Sequence, residues 1–206
     1  MTYKTHLATG YTAALLFTNP SSLSELVMCI GVSSIGSVIS DIDASTSESR
    51  KNLGKVLAAS AIGIAVILAG DYFWNLGIVS RFRNSAALMR LFTGFIVFIG
   101  ICIFGEHRPH RSFMHSLLGV AAITFSFSVI IPSSAKYLAV SMLSHILIDM
   151  LNKKKIQLFY PLKKPKIGFN ICYADGMVNR MLFFLASATS VLLIALKLYD
   201  IIPKMF

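Results

Sequence analysis

The sequence predicts an all-α protein: a polytopic membrane helical bundle with about five to seven membrane-embedded helices, formed by residues 1–206 as a single integral membrane domain. Composition is the first reason. The chain is 55% hydrophobic and 14% charged, with mean hydropathy +0.71, whereas a soluble domain carries about 25% charged residues. The second reason is the run pattern: apolar stretches of near-span length alternate with short polar breaks. The third is charge placement. The net charge of +10 falls mainly in the breaks, which in a membrane protein marks loops facing the cytoplasm and anionic lipid, not nucleic-acid binding.

The N-terminal stretch MTYKTHLATGYTAALLF has one lysine, a short apolar run and no clear small-residue cleavage pattern. It reads as a retained first helix over about 5–18, with His6 at its start, and not as a signal peptide. Asn19-Pro20-Ser21-Ser22 breaks it and offers caps to the next helix. Helix two covers about 23–40, and its glycines and serines permit close helix approach in lipid. Asp41 to Lys55 reads as a polar loop. Helix three covers about 56–70, with Asp71-Tyr72-Phe73-Trp74 as an aromatic interfacial end. Ile78 to Arg90 is a mixed, partly basic connection into helix four, about 86–105. Helix five covers about 113–131 and stops at Pro132. Helix six covers about 136–151. Lys153 to Arg180 is a long basic loop, and helix seven covers about 181–199. Cys29, Cys102 and Cys172 are too widely spaced for a disulfide framework or a cysteine zinc motif.

Three polar clusters interrupt this apolar background. Glu106 to Ser116, EHRPHRSFMHS, packs three histidines, two arginines and a glutamate between two apolar runs. Ser144-His145-Ile146-Leu147-Ile148-Asp149 places His and Asp four apart inside an apolar segment, so both project from one helix face. Ser40-Asp41-Ile42-Asp43 ends an earlier run. If all seven segments cross, one side collects 13 of the 19 basic residues, which makes that side cytoplasmic. His6, Asp41, Asp43, His107, His110, His115, His145 and Asp149 gather at the same side. A lone boundary histidine is most often a snorkelling or capping residue. A buried HxxxD pair is harder to dismiss, because burying both groups in lipid is costly.

Imidazole nitrogen and carboxylate oxygen are ligands for zinc, manganese and iron. Asp41 and Asp43, at i and i+2, share a face only in an extended or turn conformation, where one could bind metal and the other orient a histidine or a second metal. HExxH, a glycine-rich phosphate loop and Gly-x-Ser-x-Gly are all absent. A transporter using the same Asp and His groups as an ion path is the rival reading. It needs polar groups on both sides, and Asp71 and Arg81 are too few. A catalytically inactive structural membrane protein is the third.

The set Ser40-Asp41-Ile42-Asp43, His110-Arg111-Ser112-Phe113-Met114-His115-Ser116 and Ser144-His145-Ile146-Leu147-Ile148-Asp149 resembles the YdjM family of bacterial inner-membrane proteins, described as LexA-regulated, membrane-bound, metal-dependent hydrolases. The family pattern runs from an N-terminal histidine through P-D-x-D, H-R-G-x-T-H-S and S-H-x-x-x-D to a tryptophan- or proline-containing turn, matched here by Tyr160-Pro161. Ser40, Ser112 and Met114 depart from it. Asn179 stands where the family tends to carry a glutamate, with Asp175 nearby. The resemblance implies a helical protein integral to the bacterial inner (plasma) membrane and a metal-dependent hydrolase acting on phosphoesters of lipids.

On this reading His6, Asp41, His115, His145 and Asp149 are the metal ligands, and the cofactor is a divalent ion: zinc, with manganese or iron as alternatives. Asp43 orients a histidine or serves as general base, His110 is a general acid or further ligand, and Arg111 meets a phosphate oxygen. The partners are membrane lipid and a lipid phosphoester substrate, with no nucleic acid. Arg108 anchors at the interface, Glu106 and His107 lie at the surface, and Lys153-Lys154-Lys155 and Lys163-Lys164 meet anionic headgroups.

Overall fold

A computed structural model of the chain describes residues 1–45, 47–74, 77, 83–162 and 165–205. Among these the structure is all-helical: α1 Tyr3–Thr18, α2 Leu23–Ile39, a 3-10 turn Ser40–Asp43, α3 Glu48–Trp74, α4 Ala86–Glu106, a second 3-10 turn Phe113–His115, α5 Leu117–Ile130, α6 Ala135–Met150 and α7 Met177–Ile201. The only strand-like pairings among the described residues are two isolated bridges, Asn152 with Cys172 and Ile156 with Ile167, inside the loop between α6 and α7.

Serine caps set several helix starts. The Ser22, Ser85 and Ser116 hydroxyls accept from the backbone N–H of Glu25, Leu88 and Gly119, which satisfies one orphan donor in each first turn. Glu25 reaches back to the Ser21 N–H at 2.8 Å. Ser47 accepts from Arg50 N–H at 3.1 Å and so starts α3 at Glu48. The polar loop expected over 41–55 is therefore shorter, because its second half is the first turns of α3. The expected connection Ile78 to Arg90 falls partly on residues 78–82, including Arg81, which lie outside the described residues, as do Lys163 and Lys164.

α1, α2 and α6 pack mutually, α7 lies along α1, and α5 joins α6 to α4. Small residues make the central contacts. A Cβ on Gly10 would stand 1.8 Å from Ser37 Oγ, and one on Gly36 would stand 2.1 Å from Ser141 Oγ and 2.8 Å from the Leu138 carbonyl oxygen. In lipid, helices gain little by burying Leu against Leu, so close approach at such residues is what binds them. Leu15, Cys29, Leu138, Met142 and Ile146 fill the space around these contacts, each at most 2% exposed.

Among the described residues three helical segments are long and apolar enough to cross a membrane: Leu23–Asp43, Ala86–Glu106 and Met177–Ile201. This is fewer than five to seven. For three helices the reason is length: α1 and α6 have 16 residues and α5 has 14. At 1.5 Å rise these reach about 21–24 Å, short of a hydrocarbon core of about 30 Å.

Candidate metal centre

α2 ends by tightening into the 3-10 turn Ser40–Asp43. With three residues per turn, side chains two apart diverge by about 240°, so Asp41 and Asp43 fall on either side of one imidazole, His115. The Phe113–His115 turn carries that imidazole, and it folds so closely onto α5 that a Cβ on Gly119 would sit 2.1 Å from the Phe113 carbonyl oxygen. His145 and Asp149 enter from one face of α6.

The three segments converge on one point. His115 Nε2 lies 3.6 Å from Asp41 Oδ1 and 3.5 Å from Asp149 Oδ2, and His145 Nε2 lies 3.6 Å from Asp41 Oδ1. One donor atom from each of Asp41, His115, His145 and Asp149 falls within 4.8 Å of the others. These separations are too long for good hydrogen bonds. They are close to the edge of a tetrahedron of ligands at 2.0–2.1 Å, which is about 3.3 Å. His115 Nε2 and His145 Nε2 are buried and make no hydrogen bond, and Asp149 Oδ2 meets Arg111 Nη2 at 2.8 Å. Unpaired polar atoms aimed at a shared centre are what a cation would satisfy, so the residues fit a divalent metal.

The outer nitrogens support the inner ones. His145 Nδ1 is 2.6 Å from the Ser37 carbonyl oxygen, which can only accept, so the proton sits on Nδ1 and the Nε2 lone pair faces inward. His115 Nδ1 is 3.3 Å from Asp43 Oδ2. Metal-binding histidines commonly use their second nitrogen in this way. Asp43 also accepts from the Arg111 backbone N–H at 3.0 Å and pairs with His110 Nδ1 at 2.8 Å. It is buried, and His110 is exposed at the rim.

His6 stands apart from the four. Its ring stacks on His145 with centroids 3.7 Å apart, and its Nε2 is 3.4 Å from Asp149 Oδ1. Arg111 is buried, with Nη2 2.8 Å from Asp149 Oδ2 and Nη1 donating to the Lys154 carbonyl. Its backbone is left-handed, φ 65°, a conformation rare outside glycine that tends to cluster at functional sites. The bonds from Arg111 N to Asp43 and from Gln157 N to Arg111 O, 2.9 Å, hold it there. Glu106 pairs with Arg50 at 2.9 Å and so ties α4 to α3. His107 and Arg108 remain exposed, the Arg108 guanidinium lying 4.1 Å over the Phe104 ring.

Burial by itself would lower the His115 pKa. The adjacent Asp149, Asp41 and Asp43 carboxylates outweigh it and hold the imidazole well above its ordinary value. Without a metal, a proton on His115 offsets this concentration of carboxylates.

A cavity of about 590 Å³ opens beside the cluster, walled by Asp41, His110, Arg111 and Asp149 and by Lys153, Lys154 and Tyr173 of the long loop. Lys153 and Lys154 thus line the site, where the sequence placed them only among headgroups. Lys153 Nζ lies 3.8 Å from the Tyr173 ring centroid.

The chain matches one family, described as YdjM inner membrane protein, over residues 1–201. The chain belongs to that family. No curated protein and no solved structure matches it. With three apolar spans in the fold, membership places the protein in a membrane.

Asn179 is 4% exposed and clasps the start of α1, its Oδ1 accepting from Thr2 N–H at 3.1 Å and its Nδ2 donating to Thr2 Oγ1 at 3.3 Å. The Ser37 carbonyl escaped sequence reading because every residue has a carbonyl. Tyr173 escaped because it lies in a loop without periodicity.

Proposed function

We propose that this protein is a metal-dependent hydrolase of a lipid phosphoester, working at the cytoplasmic face of the bacterial inner membrane. The observation that carries this reading is the four-residue donor set, two carboxylates and two imidazoles whose buried Nε2 atoms are unpaired, bordering a cavity that Arg111, Lys153 and Lys154 help to line. Asp41, His115, His145 and Asp149 would hold the ion, and this donor set favours zinc, with manganese or iron also accepted. When bound, a divalent ion supplies Lewis-acid polarisation of a phosphoryl oxygen and lowers the pKa of a coordinated water.

The chain's own residues do the rest. Asp43 fixes the His115 ring and holds His110 Nδ1, leaving His110 Nε2 to exchange a proton at the cavity rim. Arg111, braced on Asp149, presents guanidinium hydrogens to a phosphoryl oxygen. Lys153 and Lys154 add positive charge where an anionic headgroup enters. α2, α4 and α7 cross the bilayer, and the short helices α1, α5 and α6 are embedded between them.

The test is a panel of phospholipids and isoprenoid-lipid phosphoesters assayed with detergent-purified protein, with and without chelator. Release of phosphate or headgroup that needs metal and disappears in Asp41→Asn supports the reading. Activity that survives both chelation and Asp41→Asn sinks it.

A further inference from the structure

α4 packs along α5 and meets the Ser40–Asp43 turn, but it does not pack along α2. The gap between α2 and α4 is a groove of about 490 Å³ whose walls are almost wholly apolar, including Ile35, Ile39 and Ile42 from the α2 side, Phe98 and Ile99 from α4 and Phe127 from α5. α2 and α4 are two of the three membrane spans, so the groove opens into hydrocarbon. Water finds few polar partners on such walls, which offer only Tyr3, Ser34 and Asn52, and an empty gap forfeits dispersion contacts on every side.

One turn of chain, Ser40–Asp43, stands between the groove and the metal centre and borders both. Ile42 lines its upper end, and its neighbours Asp41 and Asp43 face the histidines. Residues 35 to 42 run about 10 Å along the groove at 1.5 Å per residue. A chain lying there leaves the groove at the level of the cavity that Arg111, Lys153 and Lys154 make attractive to an anion.

We propose that this groove seats one hydrocarbon chain of an anionic membrane lipid, whose headgroup stands in the metal-centre cavity. The inference rests on the phosphoester reading for the fate of that lipid, and it makes the substrate a lipid held by a single chain between α2 and α4.

The experiment uses full-length protein in phosphatidylcholine vesicles containing a minor fraction of phosphatidylglycerol with a photoreactive group in one acyl chain. After irradiation the adducts are mapped by mass spectrometry, and metal-dependent hydrolysis is followed in the same vesicles. Adducts should concentrate on residues 35–42 and 95–102. Ile35→Trp and Ile99→Trp, which fill the groove, should cut that labelling several-fold while adducts at Leu147 and Val191, both lipid-facing, stay constant. Labelling spread evenly over the lipid-facing surface overturns the proposal, as does crosslinking of α2 to α4 of a second copy. The wild-type map decides this even if a Trp variant fails to fold. Groove labelling without hydrolysis of any lipid sustains the groove and removes the hydrolase. Metal-dependent hydrolysis with even labelling does the reverse.

Discussion

His145 donates its Nδ1–H to the carbonyl oxygen of Ser37 across 2.6 Å, and so joins α6 to α2 at the point where α2 tightens into the turn carrying Asp41. One bond therefore fixes a ring tautomer and the register of two helices.

Metal content is the most direct consequence. Detergent-purified protein should carry at least about one zinc, manganese or iron per chain by elemental analysis, and His145→Ala or Asp41→Ala should lose it, because three protein donors no longer close the site. Folded wild-type protein that takes up no metal after reconstitution would refute the site.

Asp43→Asn separates support from ligation. Asn keeps the shape but loses the charge that holds His115 Nδ1 and His110. Metal affinity should fall by about 10–100-fold, the usual cost of losing an outer partner of a ligand, instead of vanishing as in Asp41→Ala. Competition titration against a chelating dye measures both. An unchanged affinity in Asp43→Asn would show that Asp43 does not orient His115.

The raised pKa of His115 predicts proton release on metal binding. The metal-free cluster holds a proton there above the ordinary imidazole range, and a ligand nitrogen must be free of it. Affinity should therefore still be climbing at neutral pH. The sign for the metal-free protein is opposite: protonated His115 contributes stability that is complete below the ordinary imidazole value and is lost as pH rises through the raised one. Calorimetry in two buffers of different ionisation enthalpy reads the protons. No release at pH 7 would contradict the assignment.

Helix packing offers a control independent of chemistry. Gly36→Val drives a side chain into Ser141 and the Leu138 carbonyl and should cost about 1–3 kcal/mol as overpacking does, lowering the unfolding temperature in detergent. A Cβ on Gly31 meets nothing within 4 Å, so Gly31→Ala should be neutral or stabilising by up to about 1 kcal/mol. Equal effects of the two changes would mean α2 and α6 do not meet at Gly36.

Sidedness can be read by labelling. In a cysteine-free background, single cysteines at Ser47 and Lys166 should react with a membrane-impermeant maleimide only after the inner face is opened. Labelling of either from outside in intact cells would reverse the basic-residue argument.

Much of the site was legible because its chemistry is costly in lipid. Asp41, His115, His145 and Asp149 stood out as ionisable groups in apolar runs, and the i, i+4 spacing placed two of them on one face. The i, i+2 spacing of Asp41 and Asp43 left their roles open until the 3-10 turn separated them around His115. That His6 stacks on His145 and stands 3.4 Å from Asp149 could not be read beforehand, since sequence gives no measure of which face of α1 meets α6. The span count was the weakest expectation, because hydropathy finds apolar runs but not whether a run of 14 or 16 residues lies wholly within the bundle. Ser47 was readable in principle as a helix cap.

The residues of the candidate metal cluster are scattered along the chain, from the end of α2 to the end of α6, and this gives the protein a birth order. Asp41 leaves the ribosome about 5–20 s before Asp149 at ordinary elongation rates. For about the first 3–14 s of it, until residues 110–115 emerge, the early acids lack the His110, Arg111 and His115 groups that meet them in the fold. The nascent chain must keep them near the water boundary until the Phe113–His115 turn arrives, so a ribosome stalled before residue 110 exposes an unneutralised carboxylate turn that membrane quality-control proteases can distinguish from the finished protein.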